Sequence, residues 1–145
     1  MFLVEYPVVL AMVFLWIGFV SAISFMEAGL KFRAPGITLP LGLGIGKIIF
    51  RTMNKVEWIL SVAILLNIMV YRPDHGLEIN LYWFTIPFLI LLIQTIWALP
   101  ALNRRAQQII AGDQLPPSHL HIYYVALEVV KISCLLVFGI SLFSV

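Results

Sequence analysis

The chain has 145 residues, 62% of them hydrophobic and only 11% charged, with a formal net charge of +2 and a mean hydropathy of +1.04. Soluble domains carry about 25% charged residues, so a water-soluble core is excluded and lipid is the expected solvent for most of the chain. The small charge, without a basic stripe interleaved with aromatics, excludes nucleic acid as a partner, and a lone Cys134 excludes an internal disulfide or a paired-cysteine redox or zinc motif.

Residues 6–26 carry no charge between Glu5 and Glu27, enough helix to cross a hydrocarbon core of about 30 Å. The run is too long for a secretory signal and lacks both a basic leading segment and a small-residue cleavage site. It therefore predicts a retained first helix over 5–27. Within it, Gly18 and Ala22 form a small-xxx-small pair that permits close helix approach. Residues 31–46 contain Pro35, Pro40 and four glycines, and predict a Gly/Pro-rich connector that is re-entrant or interfacial. Its end, Gly46-Lys47, is not a phosphate loop. Leu41 stands where that motif needs its first glycine, and Ile48 where it needs Ser or Thr.

The uncharged stretch 58–71 is too short to span alone. Extending it backward through Ile48, Ile49, Phe50 and Met53 predicts a second helix over 48–71, with Arg51, Asn54 and Glu57 at one-turn spacing near the membrane surface. Arg72-Pro73-Asp74-His75-Gly76 reads as a turn. A third helix is predicted over 79–103, bent at Pro87 and Pro100, with Gln94 as its mid-membrane polar group. Gly112-Asp113 and Pro116-Pro117 close its basic extension, and a fourth helix follows over 119–144. No hydrophilic stretch is long enough for another domain, so residues 1–145 are expected to form one membrane domain.

Four spans alternate sides. Lys31, Arg33, Lys47, Arg51, Lys55, Arg104 and Arg105 fall in or beside the first and third connections, against Arg72 alone in the second. The positive-inside rule then puts both termini outside. The expected fold is an all-α four-helix transmembrane bundle, N-out and C-out. In lipid only helices or closed barrels satisfy their own amides, and continuous apolar runs lack a barrel's alternation.

The polar residues of the fourth span are the candidates for chemistry. At about 100° per residue, His121, Tyr124, Glu128 and Lys131 share an arc of about 80°. Glu128 and Lys131 lie deep, where ionisable groups are costly and face protein or a water-filled cavity. Their i,i+3 spacing also allows them to neutralise each other as a structural pair. Arg51, Asn54, Glu57 and His121 belong to a boundary group, where helix-end and snorkelling residues ordinarily gather. The candidate polar site is thus His121, Tyr124, Glu128, Lys131, Arg51, Asn54 and Glu57, in the cytoplasmic half of the bundle between helices two and four. His119 and His121 point apart on a helix and have no ligand-spaced companions, so no metal is expected. No nucleophile motif and no deep haem-ligating pair is present, so no catalytic residue or cofactor is expected; a bound lipid suits the apolar surface.

The segments Pro100-Ala101-Leu102-Asn103-Arg104-Arg105, Leu120-His121 and Ile45-Gly46-Lys47 through Glu57 resemble the small four-helix membrane proteins typified by transmembrane protein 205 and its bacterial relatives. That resemblance covers about two-thirds of the chain through short, mostly hydrophobic motifs. It implies the fold but transfers no chemistry. Arg51, Asn54 and Glu57 are also similar to the basic-x-x-Asn-x-x-Glu pattern of the membrane-associated eicosanoid and glutathione metabolism family, where such residues help bind glutathione in a trimer. The chain departs from that family by lacking the usual Pro after Glu57 and the Arg-x-x-Tyr-type motif in helix three.

The expectation for function is a non-enzymatic structural or accessory subunit of a bacterial inner membrane, packing against a membrane-protein partner or a second copy of itself. The alternatives are a small proton- or ion-coupled transporter or channel using Glu128 and Lys131, and a glutathione-dependent membrane enzyme.

Overall fold

In the computed structural model, residues 3–4, 6–71 and 81–144 are described. Glu5 and the predicted turn Arg72–Gly76 lie outside them. Four helices are each long and apolar enough to cross a membrane: α1 (Pro7–Arg33), α2 (Leu39–Val70), α3 (Tyr82–Ile110) and α4 (Leu120–Ser141). They run alternately up and down, and each packs against two neighbours, in the order α1, α2, α3, α4 around the bundle. At the chain ends Leu3–Val4 pairs antiparallel with Phe143–Ser144, so both ends meet at one end of the bundle. The basic residues Lys31, Arg33, Lys47, Arg104 and Arg105 lie toward the other.

The predicted connector over 31–46 needs correction, because α2 already begins at Leu39. Pro40 occupies the first turn, where its missing N–H has no helical partner to lose. The Thr38 hydroxyl caps the helix by accepting from the Leu41 N–H at 3.5 Å. Glycine costs about 1 kcal/mol relative to Ala inside a helix, but here close packing depends on it. A Cβ on Gly42 would collide with the Phe32 ring, and one on Gly46 would stand 2.6 Å from Lys31 Nζ. The true connection is the short stretch 34–38, turned by Gly36 at φ 82°.

With 32 residues, α2 is roughly 48 Å long, about 18 Å more than a hydrocarbon core of ~30 Å. Its N-terminal portion, with the ends of α1 and α3, therefore extends past the apolar slab. The Gly18–Ala22 pair does not mediate packing within the chain. Both residues are exposed, and a Cβ on Gly18 would meet nothing within 4 Å. The close approach is made instead by Gly139, where a Cβ would lie 3.4 Å from Val13 Cγ1.

Two apolar clusters fill the interior. One, toward the chain ends, joins Val9, Val13, Trp16, Ile64, Phe84, Leu91, Leu135 and Phe138. The other, toward the basic end, joins Met53, Ala98 and Tyr124. Between them lies a layer of buried polar groups.

Candidate functional site

Each helix delivers one level of this layer. Lys131 stands midway between Leu120 and Ser141, about 15 Å from either end at 1.5 Å per residue. Glu128, three residues earlier, shares its face. From α2 comes Glu57, from α3 Gln94 and from α1 Trp16; all five side chains belong to fully buried residues. The Lys131 ammonium donates to Glu57 Oε1 and to Gln94 Oε1 at 2.8 Å. It lies 3.0 Å from Glu128 Oε2, near enough to pair, although that oxygen accepts no hydrogen bond in good geometry.

Of the three N–H donors of an ammonium, two go to Glu57 on α2 and Gln94 on α3, while Glu128 on its own helix stands within ion-pair distance. Gln94 closes the circuit, its Nε2 donating to Glu128 Oε1 at 2.9 Å. Trp16 Nε1 donates to Glu57 Oε1 at 2.8 Å. The Tyr124 hydroxyl faces Glu128 from one turn away, its ring packed edge-on against Phe50 with centroids 5.4 Å apart.

Such a cluster is stable only as a whole. Removing charges from water costs several kcal/mol per ion, and mutual attraction recovers that only with good geometry and further hydrogen bonds. Here the cluster holds one ammonium against two carboxylates, so one carboxyl carrying a proton would make it neutral. Glu57 Oε2 and Ser61 Oγ, one turn apart on α2, have no partner among the described residues.

A second polar group lies beside this layer at nearly the same height, between α2 and α3. Asn54 Nδ2 donates to Thr95 Oγ1 at 3.0 Å, Trp58 Nε1 donates to the same oxygen at 2.9 Å, and the Thr95 hydroxyl donates to the Leu91 carbonyl at 2.7 Å. The adjacent residues Gln94 and Thr95 point to different polar groups at the start of a π turn that α3 makes over Gln94–Ala98. Two residues after it stands Pro100, which cannot supply the N–H of a regular turn.

The predicted site residues therefore divide. Glu57, Tyr124, Glu128 and Lys131 come together, and Asn54 sits one turn away along α2, in the Thr95 group. Arg51 is exposed on α2 and His121 is exposed near the start of α4, so neither joins the cluster. Glu57 is not a boundary residue, since α2 starts at Leu39 rather than near Ile48 and places it well inside the bundle. Trp16 and Ser61 were missed. An indole in an apolar span carries no periodic signal that separates a hydrogen-bond donor from core filling. Gln94 was visible as a mid-membrane polar group, but its partners lie 34 and 37 residues away in sequence. Among the described residues no three His, Cys, Asp or Glu side chains converge as metal ligands.

A separate cavity of about 300 Å³ opens at the basic end, between the termini of all four helices. Lys31, Lys47, Arg105 and His121 line its polar side, with Phe50 and Leu102 among the apolar residues facing them.

No family model matches the chain, and comparison with curated proteins and with solved structures returns no similar protein.

Proposed function

We propose that this is a non-enzymatic structural or accessory subunit of a bacterial inner membrane. In this reading both termini lie outside the cytoplasm, and the protein packs against a membrane-protein partner or a second copy of itself. Four apolar helices of spanning length make a multi-pass membrane protein whose outer faces suit lipid. What supports the structural role is that the buried charges of α2 and α4 meet inside the bundle, Lys131 reaching Glu57 across helices and Glu128 along its own, with Trp16 and Gln94 tying in α1 and α3. Polar groups engaged in this way act as an orientation lock. They hold four otherwise greasy cylinders in one register, the best-attested use of buried ionic groups. The resemblance to the four-helix transmembrane protein 205-like proteins agrees with it.

One observation favours a second reading, a proton-coupled carrier: the surplus of one carboxylate over the ammonium, with unpartnered oxygens at Glu57 and Ser61 beside it. A glutathione site gains less support, because Arg51, Asn54 and Glu57 reach three different surroundings. Reconstitution into proteoliposomes separates the readings. The structural reading expects no proton flux sensitive to Glu128→Gln, together with a defined oligomer or stoichiometric partner on purification from native membranes. A flux that Glu128→Gln abolishes would overturn it in favour of the carrier.

A further inference from the structure

The cavity at the basic end differs from the central cluster in every respect that matters for a ligand. Its polar side combines Lys31, Lys47, Arg105 and His121, and no carboxylate is among its described lining residues. Elsewhere at this end, snorkelling lysines and arginines point away from the bundle, as Arg33 and Arg104 do. Lys31 instead turns inward. Its side chain is only 11% exposed, paired with Glu27 at 3.4 Å, and its ammonium stands 5.5 Å from the centroids of both Phe32 and Phe50. Gly46 makes room for it, since a Cβ there would sit 2.6 Å from Nζ. Arg105 is held in place by donating to the Pro116 carbonyl.

Opposite these cations the wall is apolar, and Ser118 and Leu120 bring the N-terminal turn of α4 to the same opening. That helix end adds a partial positive charge. The depth also fits. With 22 residues α4 is about 33 Å long and fills a core of ~30 Å, so its first turn, with Leu120 and His121 at the opening, lies at the edge of the apolar slab.

We propose that this cavity is a binding site for an anionic phospholipid, the phosphate held by Lys31, Lys47 and Arg105 and an acyl chain lying along Phe50 and Leu102. Basic pockets between transmembrane helices hold lipid phosphates in this manner, and 300 Å³ falls at the lower end of ligand-sized cavities, which run from about 300 to 1,000 Å³. The site is independent of the central cluster, so it stands or falls separately from the structural reading above.

The test uses the whole protein in a mild non-ionic detergent, titrated with short-chain phosphatidylglycerol, short-chain phosphatidylcholine or inorganic phosphate, with the thermal unfolding midpoint as readout. Phosphatidylglycerol should raise the midpoint saturably while the other two leave it in place. The pair Lys31→Gln with Lys47→Gln should weaken the apparent affinity at least tenfold. Arg33→Gln with Arg104→Gln, which removes as much charge from the same end outside the cavity, should not. Should the lysine pair fail to fold, Leu102→Trp fills the cavity and should abolish the shift by itself. An equal shift with phosphatidylcholine or phosphate overturns the proposal. So does equal weakening by the arginine pair, or a full shift in Leu102→Trp.

Discussion

At the scale of the residue, the bundle turns on one ammonium. Lys131 donates to Glu57 and Gln94 and pairs with Glu128, and cutting it back would leave two buried carboxylates without a counter-charge. Breaking a buried pair in this way costs about 3–5 kcal/mol, so Lys131→Met should lower the unfolding midpoint sharply. Trp16 is a different case. Trp16→Phe keeps most of the aromatic packing against Phe84, whose ring centroid is 6.3 Å away, and loses only the donor to Glu57. Interhelical hydrogen bonds in membranes are worth about 0.6 kcal/mol on average, and about 2 at most, so that variant should fold with a small loss. Denaturant titrations of both in one detergent would show a severalfold difference between them. Equal losses would mean that the indole packing, rather than the charge, holds this level together.

At the scale of the element, α2 shows how much of the fold could be read from the sequence. Its membrane portion was legible as an apolar run, but its first turns were not. Gly42, Gly44, Gly46 and Pro40 oppose helix by propensity, and the compensation is tertiary. Phe32 and Lys31 of α1 lie against the bare backbone at Gly42 and Gly46, contacts that no local pattern records. The same displacement misplaced Glu57, because a helix starting near Ile48 leaves it at the surface and one starting at Leu39 carries it inward. On α4 the outcome was more direct. Tyr124, Glu128 and Lys131 share a buried face at helical spacing, and the cost of charge in lipid pointed there. His121 shares the arc but sits in the first turn, at the cavity of the basic end rather than in the central cluster. Gly46→Leu tests the α1–α2 contact, and should reduce helix packing at the basic end while leaving the central cluster intact. Disulfide trapping between cysteines placed at Phe32 and Gly42 should then slow severalfold; an unchanged rate would show that the glycines serve no close approach.

At the scale of the whole molecule, the arrangement is a set of layers. Apolar packing toward the chain ends gives way to the charged level, with the Asn54–Thr95–Trp58 group beside it, and finally to a basic mouth with a cavity. Lipid offers the helices no hydrophobic reason to prefer each other, so packing and polar contacts must supply the specificity. The charged level supplies it here, since sliding α2 against α4 by one turn would strand an ion. Replacing the charges together with apolar side chains of similar volume should therefore be far less damaging than removing one, and can even stabilise. Glu57→Leu, Glu128→Leu and Lys131→Met combined should retain a midpoint closer to the parent than Lys131→Met alone. A triple variant worse than the single would mean that the charges add stability outright rather than fixing register.

The most direct measurement is a double-mutant cycle between α2 and α4, using Glu57→Gln, Lys131→Met and the two together, followed by reversible unfolding in mixed micelles. The ion pair predicts strong coupling, with the double variant losing less than the sum of the singles by about 1–3 kcal/mol. Losses that add to within about 0.5 kcal/mol would contradict it, and would mean that Glu57 and Lys131 do not meet in the folded protein.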